Sequence, residues 1–192
     1  MPGRPKEFEE NVAIRKAANL FWSKGYMATS TDDLIRVMGI QKGSLYNTFR
    51  SKKDLFIRAI NLHEQCLLSE FKEMLKGSKR PVETIKSVFL SMAEHKDDIE
   101  KGCFAGNTLA ELSGLDEELT QNAKTHLKEL ESILFDAIVA ARTKGQLKSK
   151  VDSRVLASYL LNMWNGLNIT RRIYGDKKTL LPLIKLQLEV LV

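Results

Sequence analysis

The chain of 192 residues is 43% hydrophobic and 28% charged, an ordinary globular balance that excludes a disordered chain, a collagen-like repeat and a disulfide scaffold. Its formal net charge of +6 is unevenly placed: residues 1–60 hold eleven Lys and Arg against six Asp and Glu, which leaves nineteen against eighteen for the rest. A local basic excess is what a polyanion-binding module needs, because neutralising phosphates releases counterions, although an anionic membrane attracts the same charge. No apolar run reaches the ~18 to 20 residues that span a bilayer, and the N-terminus opens with charge instead of a signal-peptide core. A cytoplasmic protein with no membrane partner is expected. Cys66 and Cys103 form no framework and belong to no CxxC or Cys/His cluster, so reduced thiols and no zinc are expected.

In chain order, a first helix is predicted over 7–24, with Val12, Ile14, Ala17, Ala18, Leu20, Phe21 and Trp22 at mixed three- and four-residue spacing and Gly25 closing it. Ser30, three residues before Asp33, makes a capping-box pattern with Asp in place of Glu, and opens a short second helix that Gly39 stops. After the Gly39-Ile40-Gln41 connection, the segment 42–49 offers only Leu45 and Phe49 as strong core anchors, so most of this third helix faces outward. Two short helices around a Gly-containing turn, the second polar and aromatic outside, form the helix-turn-helix arrangement that seats its second helix in the DNA major groove. A long fourth helix follows over about 52–76, with Lys52 and Lys53 in its first turn.

Pro81 suits the first turn of a fifth helix carrying Ile85, Val88, Phe89 and Met92, expected to run to about residue 97. Gly102 and Gly106 flank Cys103-Phe104-Ala105, which reads as a kinked or short helical piece before 109–112. Residues 119–144 read as a long amphipathic helix. The stretch 155–170 contains no charged residue, and a helix lacking a charged, solvated face is expected to be buried on more than one side. The last helix, with Leu180, Leu181, Leu183, Ile184, Leu186 and Leu188, also has more apolar surface than one chain's core requires. These two neighbouring helices predict a homodimer built as a four-helix bundle, each chain giving two. No strand pattern or repeat occurs, so the fold class is all-α: a small domain over 1–50 that binds double-stranded DNA, then a dimerisation domain over 51–192, to which the family resemblance described below adds effector binding, with helix 52–76 as connector.

Enzyme chemistry has no foothold. His63-Glu64 lacks the second His of HExxH, since position 67 is Leu67, and the residues three before His63, His95 and His126 are Ile60, Met92 and Ala123, so no ExxH pair exists. GxSxG, P-loop and dinucleotide fingerprints are missing too, and neither a metal nor an organic cofactor is expected. A second rival is a protein-interaction module that keeps the helix-turn-helix shape without binding DNA, which fold alone does not exclude. Lys42, Tyr46, Arg50 and Lys52 on one face speak against it.

From Leu20 to Leu55 the sequence, including Lys24-Gly25-Tyr26-Met27-Ala28-Thr29-Ser30, Gly39-Ile40-Gln41-Lys42-Gly43-Ser44-Leu45-Tyr46 and Ser51-Lys52-Lys53-Asp54-Leu55, resembles the TetR/AcrR family of bacterial transcriptional regulators. The resemblance implies nine helices, DNA binding as a dimer, a small-molecule effector cavity in the C-terminal domain, and repression. It places Tyr46 and Lys52 on phosphates and points Gln41, Lys42, Ser44 and Asn47 into the groove, with Ser30, Thr31 and Gly43 beside them. Gln41 stands where the family often has a capping Ser or Thr, and Thr48 where His or Tyr is frequent. Gln is a poor cap but a good base-edge partner, so the operator sequence does not carry over.

Three further readings come from the residues. The arm Gly3-Arg4-Pro5-Lys6 is placed to reach an adjacent minor groove through Arg4. An effector cavity walled by Phe89, Met92, His95, Cys103, Phe104, Asn107, Trp164 and Asn168 supplies apolar bulk with a few polar groups. Cys103 reads first as a small core thiol; the alternative, a redox or electrophile sensor, requires Lys101 to fold over it and lower its pKa.

Overall fold

The computed structural model describes residues 9–94 and 99–192. Among these there are nine α-helices, a final 3-10 turn and no strand: α1 Glu10–Lys24, α2 Thr31–Met38, α3 Lys42–Thr48, α4 Lys52–Leu75, α5 Pro81–Ser91, α6 Phe104–Leu112, α7 Glu117–Thr143, α8 Ser153–Ile173 and α9 Lys177–Leu188. No described helix is long and apolar enough to cross a membrane.

Short polar residues start these helices by taking up amides that have no carbonyl partner in the first turn. Ser30 and Asp33 form a reciprocal capping box on α2, while Ser51, Asp116, Asp152 and Asp176 cap α4, α7, α8 and α9 through their side chains. Gly39 ends α2 in the left-handed region at φ 71°, which turns the chain sharply enough to lay α3 across α2.

Two predicted elements differ from the structure. α5 stops at Ser91 instead of continuing to 97, because the amides of Met92, Ala93 and Glu94 bond to carbonyls only three residues back, at Phe89, Leu90 and Ser91, and this tightening ends the α-helix. The broken piece expected at 103–112 is one helix. Cys103 Sγ caps it by accepting the Gly106 N–H at 3.3 Å.

Apolar side chains gather into two cores that share α4. Phe21, Leu34, Leu45, Phe49, Leu55, Phe56 and Ile60 form the first, completed from outside by Phe104, Leu112 and Leu119 of α6 and α7. Leu68 and Phe71 on the distal half of α4 belong to the second, with Ile85, Phe89, Ile138, Leu156, Leu160, Leu180 and Ile184. The small N-terminal unit is therefore seated on the larger one, with α4 running through both. α8 buries Leu156, Leu160, Met163, Trp164 and Leu167 on one face only. Burial on more than one side is not met within one chain.

Candidate nucleic-acid interface and effector cavity

α3 is held by few contacts. Leu45 and Phe49 are fully buried and Ile40 nearly so, which turns Gln41, Lys42, Gly43, Tyr46 and Asn47 outward, with Ser44 half-buried beside them. Gln41 stands at the N-cap with no side-chain capping bond, so its amide is available for an external partner. A Cβ added at Gly43 would meet no atom of the described residues, and glycine within a helix costs about 1 kcal/mol relative to Ala. Nothing among the described residues requires that glycine.

The two lysines at the start of α4 have separate surroundings. Lys53 pairs with Asp116 at 2.9 Å and Glu118 at 2.8 Å, tying α4 to the start of α7. Lys52 places Nζ 4.3 Å from the centroid of the Tyr26 ring; partial burial pushes its pKa down, and the nearby Glu111 carboxylate opposes that shift. On α2, Lys24 and then Ser30 hold the Asp33 carboxyl well below the usual carboxylate range, so the capping box keeps its charge. Ser30 is exposed and its hydroxyl is engaged in the cap, while Thr31 is half-buried. Arg4 lies outside the described residues.

A cavity of about 760 Å³ opens between α1, α4, α5, α8 and the start of α6. Met92, Cys103, Phe104, Trp164 and Asn168, all expected on its wall, line it. Two expected members do not. Phe89 is fully buried behind the wall, with its ring edge against Trp164 at 6.3 Å, and Asn107 turns away to bond the Lys101 carbonyl at 2.6 Å and Arg172 at 2.9 Å. His95 lies outside the described residues. The residues missing from the sequence-based set include Trp22, His63, Phe71 and Arg171. Trp22 is the informative one, because it belongs to α1 and donates from Nε1 to the Gly102 carbonyl at 3.1 Å. The wall of the cavity thus includes part of the helix-turn-helix unit.

Lys101 is not placed as the sensor alternative for Cys103 requires. Lys101 does not cover it: its ammonium donates to Asn19 at 2.7 Å and lies over the Trp22 ring. Burial first, and then the Glu64 charge, push the Cys103 thiol from 9.0 up to about 11. A raised value means that the unfolded thiol ionises first; the stability carried by the protonated form is complete below about 9 and is lost as pH rises through about 11. Iodoacetamide at about pH 8 should alkylate the exposed Cys66 in the folded protein much faster than Cys103, whose thiol lines the cavity but stays protonated, and denaturation should bring the two rates together. Peptide mass spectrometry reads the two sites, and equal rates before denaturation would contradict the buried, protonated assignment.

A recognition helix on two buried anchors, joined by one long helix to a cavity-bearing helical domain, defines a helix-turn-helix protein with its own regulatory domain. Two family models match the chain: "Bacterial regulatory proteins, tetR family" over residues 13–59 and "Tetracyclin repressor-like, C-terminal domain" over 79–184. The chain belongs to the tetR family and is a DNA-binding transcriptional regulator. It is similar to the uncharacterized HTH-type transcriptional regulator YezE of Bacillus subtilis, 29% identical over 98% of this chain and 99% of that one, and to the HTH-type transcriptional repressor ComR of Escherichia coli, 28% identical over 88% and 82%. Among solved structures, a cysteine mutant of the TetR family regulator CifR complexed with 26-base-pair operator DNA superposes with a TM-score of 0.88 at 21% identity, covering 99% of this chain and 100% of that one. At that identity the likeness concerns the fold alone.

Proposed function

We propose that the protein is an effector-responsive repressor that grips a near-palindromic operator as a homodimer and releases it when a small molecule occupies the 760 Å³ cavity. The observation that carries this reading is Trp22: one residue lines the cavity and belongs to α1 of the DNA-binding unit. Residues 1–50 act as the reading head and 51–192 as the effector and dimerisation domain, in the cytoplasm where the DNA is. Gln41, Lys42, Ser44 and Asn47 face base edges, Tyr46 and Lys52 hold phosphates, and the bare surface over Gly43 admits the DNA backbone. ComR is named a repressor, which supports that sign of regulation here.

Each subunit places α3 in one major groove, and the dimer spans half-sites ~34 to 36 Å apart or a related multiple. An effector that moves α4 changes this separation. Linkage then requires DNA to weaken the effector by the same factor as the effector weakens DNA. The thiol route through Cys103 has no support from a buried sulfur whose pKa is raised.

The test is binding of purified protein to duplex DNA lying directly upstream of its own gene, and to random-sequence duplex, across a salt series. Tight, salt-sensitive and sequence-selective binding is expected. Failure to bind any duplex even at low salt would return the chain to the interaction-module reading.

A further inference from the structure

We infer that Glu111, on α6 of the regulatory domain, is a positioning residue for DNA binding. The Glu111 carboxylate accepts the backbone N–H of Tyr26 at 3.0 Å and of Met27 at 2.8 Å. Both amides lie in the turn between α1 and α2. The neighbouring Gly25 has φ +86°, and a Cβ there would sit 2.9 Å from Glu111 Oε1. The turn is thus wrapped around a carboxylate contributed from more than 80 positions away, and glycine is required both for its backbone angle and for the space.

What this turn holds bears directly on DNA. The Tyr26 ring packs edge-on against Phe56 with centroids 5.0 Å apart and carries the Lys52 ammonium on its face. The Glu111 charge also favours the charged form of Lys52. Immediately after the turn, Thr29 bonds back to Tyr26 and Gly25 through its amide and hydroxyl, and Ser30 starts α2. One carboxylate therefore sets the entry to α2 and the platform under a phosphate-holding lysine.

The other end of α6 lies in the cavity wall. Gly102, Cys103 and Phe104 line the cavity, the Gly102 carbonyl accepts from Trp22, and the Ala105 amide donates to the buried Glu64 carboxylate at 3.2 Å. Seven helical steps, about 10 Å of rigid rod, separate Phe104 in this wall from Glu111. The positioning role rests on the reading of α3 and Lys52 as the DNA face.

The experiment uses the intact protein, with hydrogen exchange of the Tyr26 and Met27 amides and operator affinity as separate readouts. Glu111→Ala is expected to speed exchange of those two amides at least about ten-fold. It should weaken operator binding about ten-fold with an unchanged salt slope, because no phosphate contact is removed. Glu111→Gln, which keeps the length and one carbonyl acceptor, should fall between it and the parent in both. Unchanged amide protection, or lost protection with operator affinity kept within about two-fold, would overturn the positioning role. If the parent shows no sequence-selective DNA binding, the regulator reading fails, while the exchange data still report on the Glu111 contact by itself.

Discussion

Replacing Tyr46 and Lys52 together by alanine is expected to weaken operator binding at least ~100-fold at moderate salt, about 2.7 kcal/mol. On the proposed reading both groups meet the DNA backbone, and neither carries much of the fold. Tyr46 is 46% exposed, and the contact of Lys52 with the Tyr26 ring contributes about 0.5 to 1 kcal/mol at a surface of this kind. Thermal unfolding should therefore move little. Removing Lys52 takes one cation from each subunit, so the slope of log K against log salt should flatten by ~0.9 per subunit, ~1.8 for a dimer. Random-sequence duplex should lose affinity alongside the operator, since phosphates carry no sequence information. Gln41→Ala is the contrasting variant: it should change the ranking of operator sequences and leave the salt slope alone. A double variant that keeps both affinity and slope would reduce this face to a solvated basic surface.

The reading head was legible because each of its features has a local cause. Ser30 three residues before Asp33 predicts the capping box, Gly39 predicts the turn, and a helix with only Leu45 and Phe49 to bury has an outer face by subtraction. The cavity was only partly legible, since an apolar helical stripe looks the same whether it packs a core or walls a void. Phe89 and Trp164 touch, but only Trp164 reaches the cavity. Trp22 went unnoticed as a wall residue because α1 belongs to the DNA-binding unit. Its signal was present in the run Leu20-Phe21-Trp22, where adjacent apolar residues point in different directions and so serve more than one neighbour. Glu111 had no signature. Its partners are backbone amides, and every residue except proline offers one. The contrast between Cys103 and Cys66 likewise depends on burial, which two cysteines in a sequence do not declare.

A single charge on the outer face of α8 is expected to dissolve the proposed homodimer. Val155, Ser158, Asn162, Gly166, Ile169 and Ile173 recur at three- and four-residue spacing along one exposed stripe, and none is charged. Ile169 and Ile173 are 61% and 68% exposed, and Leu186 on α9 is 64% exposed. Tyr159 of α8 donates its hydroxyl to the Gln187 carbonyl of α9 at 3.2 Å, which links the two helices. Apolar surface of this kind asks for cover. A second copy supplies it through a two-fold axis, with four helices meeting as a bundle. Gly166 at mid-stripe, with open space where a Cβ would stand, lets a partner helix come close. Ile169→Glu leaves the monomer intact because the side chain is exposed there, but in the dimer it buries two like charges, each costing several kcal/mol when unpaired. Sedimentation at micromolar concentration should show monomers, and operator affinity should fall toward that of random duplex, because one α3 reads only one half-site. Leu115→Glu, at an equally exposed apolar residue in the α6–α7 connection, should change neither. A dimer that survives Ile169→Glu with operator affinity intact would place the interface on another face and leave the uncharged stripe of α8 without a role in DNA binding.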